Sequence, residues 1–86
     1  MPGLMTASQR QVYDRLNARI RAAHAAGHLQ ALAAGYAEGG ALYDGQGETD
    51  AACFFWTQAY VFALDAGDEH LATTMHERLS IFDRMG

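Results

Sequence analysis

Residues 51–68 read AACFFWTQAYVFALDAGD, a helix-length run with almost no polar side chains. On a helical wheel the polar residues Asp50, Thr57, Gln58 and Asp65 fall in one narrow strip, which Phe54 and Val61 interrupt. Cys53, Phe55, Trp56, Tyr60, Phe62, Leu64 and alanines occupy the rest of the circumference. A helix that is apolar nearly all round is normally covered on several sides. The apolar run is too short to cross a bilayer, which needs about 20 apolar residues, so it reads as a core helix. The chain has 86 residues, enough for one small domain at positions 1–86. A chain of this size buries only about 60–65% of its unfolded surface, so marginal stability is expected unless it pairs with something. Three other short helices can hardly enclose this one. It is expected either to be central or to have part of its surface covered by a second subunit. Phe54 and Val61, flanked by Gln58 and Asp65, are the expected contact strip.

Glycine punctuates the chain, since the only proline is Pro2. Four antiparallel helices are expected, over about 6–26, 29–44, 49–66 and 68–85. Thr6 and Gln9 fit a capping box at the first start, and Gly27 fits its stop. Met5, Val12, Leu16, Ile20 and Ala23 form its apolar stripe, with Tyr13 at the edge. The second helix carries a stripe of Leu29, Leu32, Tyr36 and Tyr43, and Gly45 and Gly47 close it. Thr49 or Asp50 caps the third, which Gly67 ends. The fourth starts at Asp68 and buries Leu71, Met75, Leu79 and Phe82, with Met85 extending the stripe.

Gly39 and Gly40 lie within the apolar stripe of the second helix, and Gly35 flanks it. Each interior glycine costs roughly 1 kcal/mol relative to alanine. Three in one helix imply a gain elsewhere, namely close backbone approach with bulky side chains of a neighbour filling the gap.

Residues 36–64, YAEGGALYDGQGETDAACFFWTQAYVFAL, resemble one unit of the tetratricopeptide repeat, a helix–turn–helix of about 34 residues. Tyr36, Gly40 and Tyr43 match the large, small and aromatic positions of the family's first helix, and Gly47 its turn. Ala52, Trp56 and Ala59 match the small–aromatic–small positions of its second helix. Tyr43 to Gly47, with Asp50 and Trp56, also resembles the related Sel1-like repeat. The pattern departs from the family at Gly39, where leucine is usual, and at Leu64, where proline is common. The next register places His70, Thr74 and Glu77 at signature positions and does not match. The resemblance implies an all-α protein-binding scaffold, with peptide ligands along the first helix of the unit. The matching face here is Ala34, Ala37, Ala41 and Asp44, small and suited to packing against another helix. A lone repeat needs caps or copies over its apolar sides, a role open to the first and fourth helices.

Net charge is −4, unevenly spread. Residues 1–28 hold four arginines against Asp14, a balance of +3, and the remainder carries −7. The acidic remainder argues against nucleic acid as a partner. The basic first helix can steer an acidic partner, or lie against the acidic part of its own chain or of a copy. Cys53 is the single cysteine and has no internal disulfide partner. The N-terminus MPGLMTASQRQ shows no secretory pattern, so a cytoplasmic location is expected, with no membrane association.

Candidate chemistry is sparse, and no cofactor, metal or catalytic set is expected. His24 and His28 have metal-ligand spacing, but Gly27 ends the helix between them. Asp68, Glu69, His70, His76 and Glu77 match no familiar site and read as solvated helix-start groups and surface residues. Cys53 reads as a core thiol. Arg19 and His24 fit the R-x4-H spacing that resembles the HEPN class of small helical ribonucleases. That resemblance implies a metal-independent ribonuclease dimer in which arginine holds phosphate and histidine acts as general acid or base. The leading expectation is a non-enzymatic interaction or self-association module, with a homo-oligomer as the simplest partner arrangement. The ribonuclease is the alternative.

Overall fold

The computed structural model describes residues 6–82. Within them the protein is all-α: α1 (Ala7–Ala26), α2 (Leu29–Gly45), α3 (Thr49–Ala66) and α4 (Glu69–Ile81). Met5 and Met85, assigned to stripes above, lie outside the described residues.

The helix ends follow local chemistry. Thr6 accepts from the Gln9 amide at 3.1 Å while the Gln9 side chain accepts from the Thr6 amide at 2.8 Å, a complete capping box. The three inter-helix turns share one closing bond, in which the amide of His28, Glu48 or Asp68 donates five residues back to Ala23, Tyr43 or Ala63. In each turn the preceding glycine (27, 47, 67) takes a positive φ, which glycine adopts without a Cβ penalty. These glycines fall at twenty-residue intervals, so α2 and α3 with their turns are matched in length.

One cap differs from expectation. Glu48, rather than Thr49 or Asp50, holds the N-cap position of α3, and it makes no side-chain cap bond. The closing bond from the Glu48 amide to Tyr43 fixes the start of α3 one residue earlier. His28 caps α2, its Nδ1 accepting from the Ala31 amide at 3.1 Å.

Short turns make neighbouring helices antiparallel. The α2–α3 hairpin is the tightest pair, with α4 on α3 and α1 on α2. Leu16 and Ile20 of α1 also share a cluster with Phe55 and Phe62 of α3, while Ala33 of α2 clusters with Ala72 of α4. The helices therefore zigzag in two staggered layers, and the Cα envelope is a slab of 38 × 32 × 14 Å. α3 is central, between α2 and α4.

Two stripes are corrected by this packing. Tyr13 is buried and Val12 is exposed, because Tyr13 turns onto Tyr43 with ring centroids 5.0 Å apart. Leu29 at the start of α2 is exposed, whereas Gly35 is buried under Ile20. α4 buries Ala72, Met75 and Leu79, with Leu71 and Phe82 half-buried.

Candidate interaction surface

Three glycines of α2 set the geometry. A Cβ on Gly40 would overlap the Trp56 indole, and one on Gly39 would overlap the Phe55 ring and meet Leu16 Cδ2 at 3.2 Å. A Cβ on Gly35 would lie 2.9 Å from Ile20 Cγ1. α2 thus presents bare backbone to bulky side chains on two sides. Burying one large ring removes 150–250 Å² from water, worth about 4–6 kcal/mol as an upper bound. That outweighs the roughly 1 kcal/mol each glycine costs its helix.

Trp56 is 2% exposed. It stacks on Phe82 at 6.0 Å, and the Arg78 guanidinium sits 5.5 Å from its ring. Its Nε1 is buried against Gly40 and has no hydrogen-bond partner among the described residues. Ala52 and Ala59 are fully buried in the same cluster, together with Cys53.

A ladder of rings joins α1 to the hairpin. Its successive centroid separations are 5.0 Å (Tyr13 to Tyr43), 5.0 Å (Tyr43 to Phe55), 5.5 Å (Phe55 to Tyr36), 5.7 Å (Tyr36 to Phe62) and 5.8 Å (Phe62 to His24). Tyr36 Oη and His24 Nε2 share a hydrogen bond of 2.9 Å at the end of the ladder. Burial at the other end pushes the Tyr13 hydroxyl above its ordinary pKa, helped by Tyr43 and by the Glu48 charge. Nothing in residue spacing signals this ladder, because its members come from three helices.

The remaining face of α3 is open. Phe54, Val61 and Leu64 are 59%, 45% and 53% exposed. Gln58 is half-buried and Asp65 exposed beside them. Leu64 continues into a groove of about 350 Å³ between α3 and α4, lined also by Tyr60, Glu69, Ala72, Thr73 and His76. The strip and the groove form one surface, apolar along α3 and lined on its α4 side by Glu69, Ala72, Thr73 and His76. The alanine face of α2 is open too, with Ala34, Ala41 and Asp44 exposed and Ala37 half-buried.

The groups weighed for catalysis lie apart. Arg19 pairs with Glu38 at 2.9 Å on the surface, while His24 joins Tyr36 and Phe62. Five residues of helix put the two side chains about 140° apart around the axis. His28 is used as a cap. Asp68 caps α4 through the Leu71 amide at 3.0 Å and also accepts from Gln30 Nε2 at 2.6 Å, which ties α4 to α2. Those two bonds, the backbone one first, hold its carboxyl below the usual range. Among the described residues no group of three histidine, cysteine or acidic side chains is placed to hold a metal ion. No helix among them is long and apolar enough to cross a membrane.

No protein-family model matches the chain, and comparison with curated proteins and with solved structures yields no match.

Proposed function

We propose that this protein is a non-enzymatic helical module that binds protein through the outer face of α3, and that its simplest partner is a second copy of itself. The observation that carries this reading is the row Phe54, Val61 and Leu64, exposed on a helix whose other face buries Ala52, Cys53, Trp56, Ala59 and Ala63. Their burial is not needed inside one chain, since Trp56, Phe55 and the alanines of α3 already fill the contacts with α2 and α4. Contiguous apolar residues on a small monomer mark an interaction site. The tetratricopeptide-like hairpin of α2 and α3 is the scaffold in this reading, flanked by α1 and α4. The glycine–aromatic interlock of α2 and α3 supports it, since it would hold the strip on a rigid rod.

Light scattering across a concentration series tests the proposal. Self-association gives a mass that rises above the 9.3 kDa of one chain. Phe54→Glu lowers that mass while far-ultraviolet circular dichroism stays unchanged, because residue 54 is exposed within one chain. Wild-type protein that remains at the mass of one chain up to several hundred micromolar contradicts self-association.

A further inference from the structure

The strip on α3 does not by itself say what covers it, but the charge distribution does. Arg19 of α1 forms an ion pair with Glu38 of α2. Arg10, Arg15 and Arg21 are exposed on α1 without an acidic partner there. The opposite edge of the slab is acidic on balance, with Asp65 at the end of α3 and Glu69 and Glu77 on α4 all exposed, while Arg78, the one arginine of α4, lies over the Trp56 ring. One end of the molecule is therefore basic and the other acidic, on helices that do not neutralise each other.

The shapes of the two ends are complementary as well. The outward face of α1 carries Ala18, Ala22 and Ala25, all exposed and spaced four and three residues apart, so they form one smooth ridge. Arg15 and Arg21 border that ridge on either side, with Asp14 the only acid of α1 beside it. The receiving surface has the opposite relief, with Phe54, Val61 and Leu64 standing out beside the α3–α4 groove. Small residues facing bulky ones is the same arrangement that joins α2 to α3 within one chain.

We infer that α1 of a second copy docks along the α3–α4 face, with its alanine ridge on the apolar strip and its arginines against Asp65, Glu69 and Glu77. The inference rests on the proposed self-association and specifies its geometry. The two surfaces in contact are different, so the interface is head-to-tail, and a pair of copies keeps one free α1 ridge and one free α3–α4 face. Such an interface either closes into a ring or grows into an open array. Rim charges act mainly on association rate and register, and salt screens them within about 10 Å at 0.1 M ionic strength.

Complementary charge reversal followed by sedimentation velocity is the test. One variant carries Arg15→Glu and Arg21→Glu, the other Asp65→Arg, Glu69→Arg and Glu77→Arg. Each alone has two like-charged ends, and its self-association weakens at least about tenfold. Mixed in equal amounts they regain assembly, because each reversed end then meets its complement. Wild-type association weakens as salt is raised from about 50 to about 500 mM. Ala22→Trp, which roughens the ridge without changing charge, also weakens assembly while leaving helicity intact, and so separates docking from misfolding. If wild type assembles but salt, the charge reversals and Ala22→Trp leave it unchanged, α1 is not the occupant, although self-association stands. If wild type stays monomeric throughout, both the docking and the self-association fail.

Discussion

Gly40 and Trp56 decide at residue scale how close α2 and α3 come. Replacing Gly40 with alanine gains about 1 kcal/mol of helix propensity but drives a methyl into the indole, where overpacking typically costs 1–3 kcal/mol. The indole is rigid and enclosed by Phe82 and Arg78, so the upper end of that range applies and the net change is a loss of about 1–2 kcal/mol. Gly45 is the control, since a Cβ there meets nothing within 4 Å and its φ is not positive. Gly45→Ala is expected to be neutral or stabilising by up to about 1 kcal/mol. Urea denaturation of the two variants measures both effects, and equal midpoints would remove the close-packing account. The small–bulky pattern was readable in the sequence, because Gly39 and Gly40 fall within the apolar stripe of α2 while α3 is crowded with rings, Phe55 and Trp56 among them. Whether Val12 or Tyr13 enters the core was not. They are adjacent, about 100° apart on the helix, and the choice is made by the Tyr43 ring near the end of α2.

At the scale of elements, the helix ends show what is and is not encoded locally. Thr6, Gln9, Gly27 and Gly67 act where their side chains, or lack of one, suggest. His28 as a cap and Glu48 as an unbonded one follow instead from the closing bonds of the turns, which are set by the positive-φ glycine before each rather than by the capping side chain. The ring ladder was hidden for a related reason, since periodicity tells which residues share a face but not which ring of another helix they meet. Asp68 has a consequence for pH. Its folded-state pKa is depressed, so its contribution is present above the usual carboxylate range and is lost as pH falls through the lowered value. The thermal midpoint of the wild type is expected to drop more between about pH 5 and about pH 2 than that of Asp68→Ala, which starts lower at neutral pH. Parallel curves for the two would show that the Leu71 and Gln30 bonds contribute nothing through ionisation.

At the scale of the molecule, the slab has two chemically different ends and one apolar strip. An all-α fold of four helices was legible from glycine spacing and apolar periodicity alone. Residue pattern also singled out Phe54 and Val61, since they break a polar strip, but it did not reveal Leu64 as their neighbour or the groove beside them. Those depend on how far α4 leaves α3 uncovered, a property of the α3–α4 packing rather than of α3.

Isotope-filtered nuclear Overhauser spectroscopy, on a mixture of labelled and unlabelled chains, asks directly which atoms of one copy touch another. Intermolecular cross-peaks are expected from the Phe54 ring and the Val61 and Leu64 methyls to alanine methyls of α1. Cross-peaks confined to other surfaces, or none at concentrations where the mass exceeds one chain, would contradict the account.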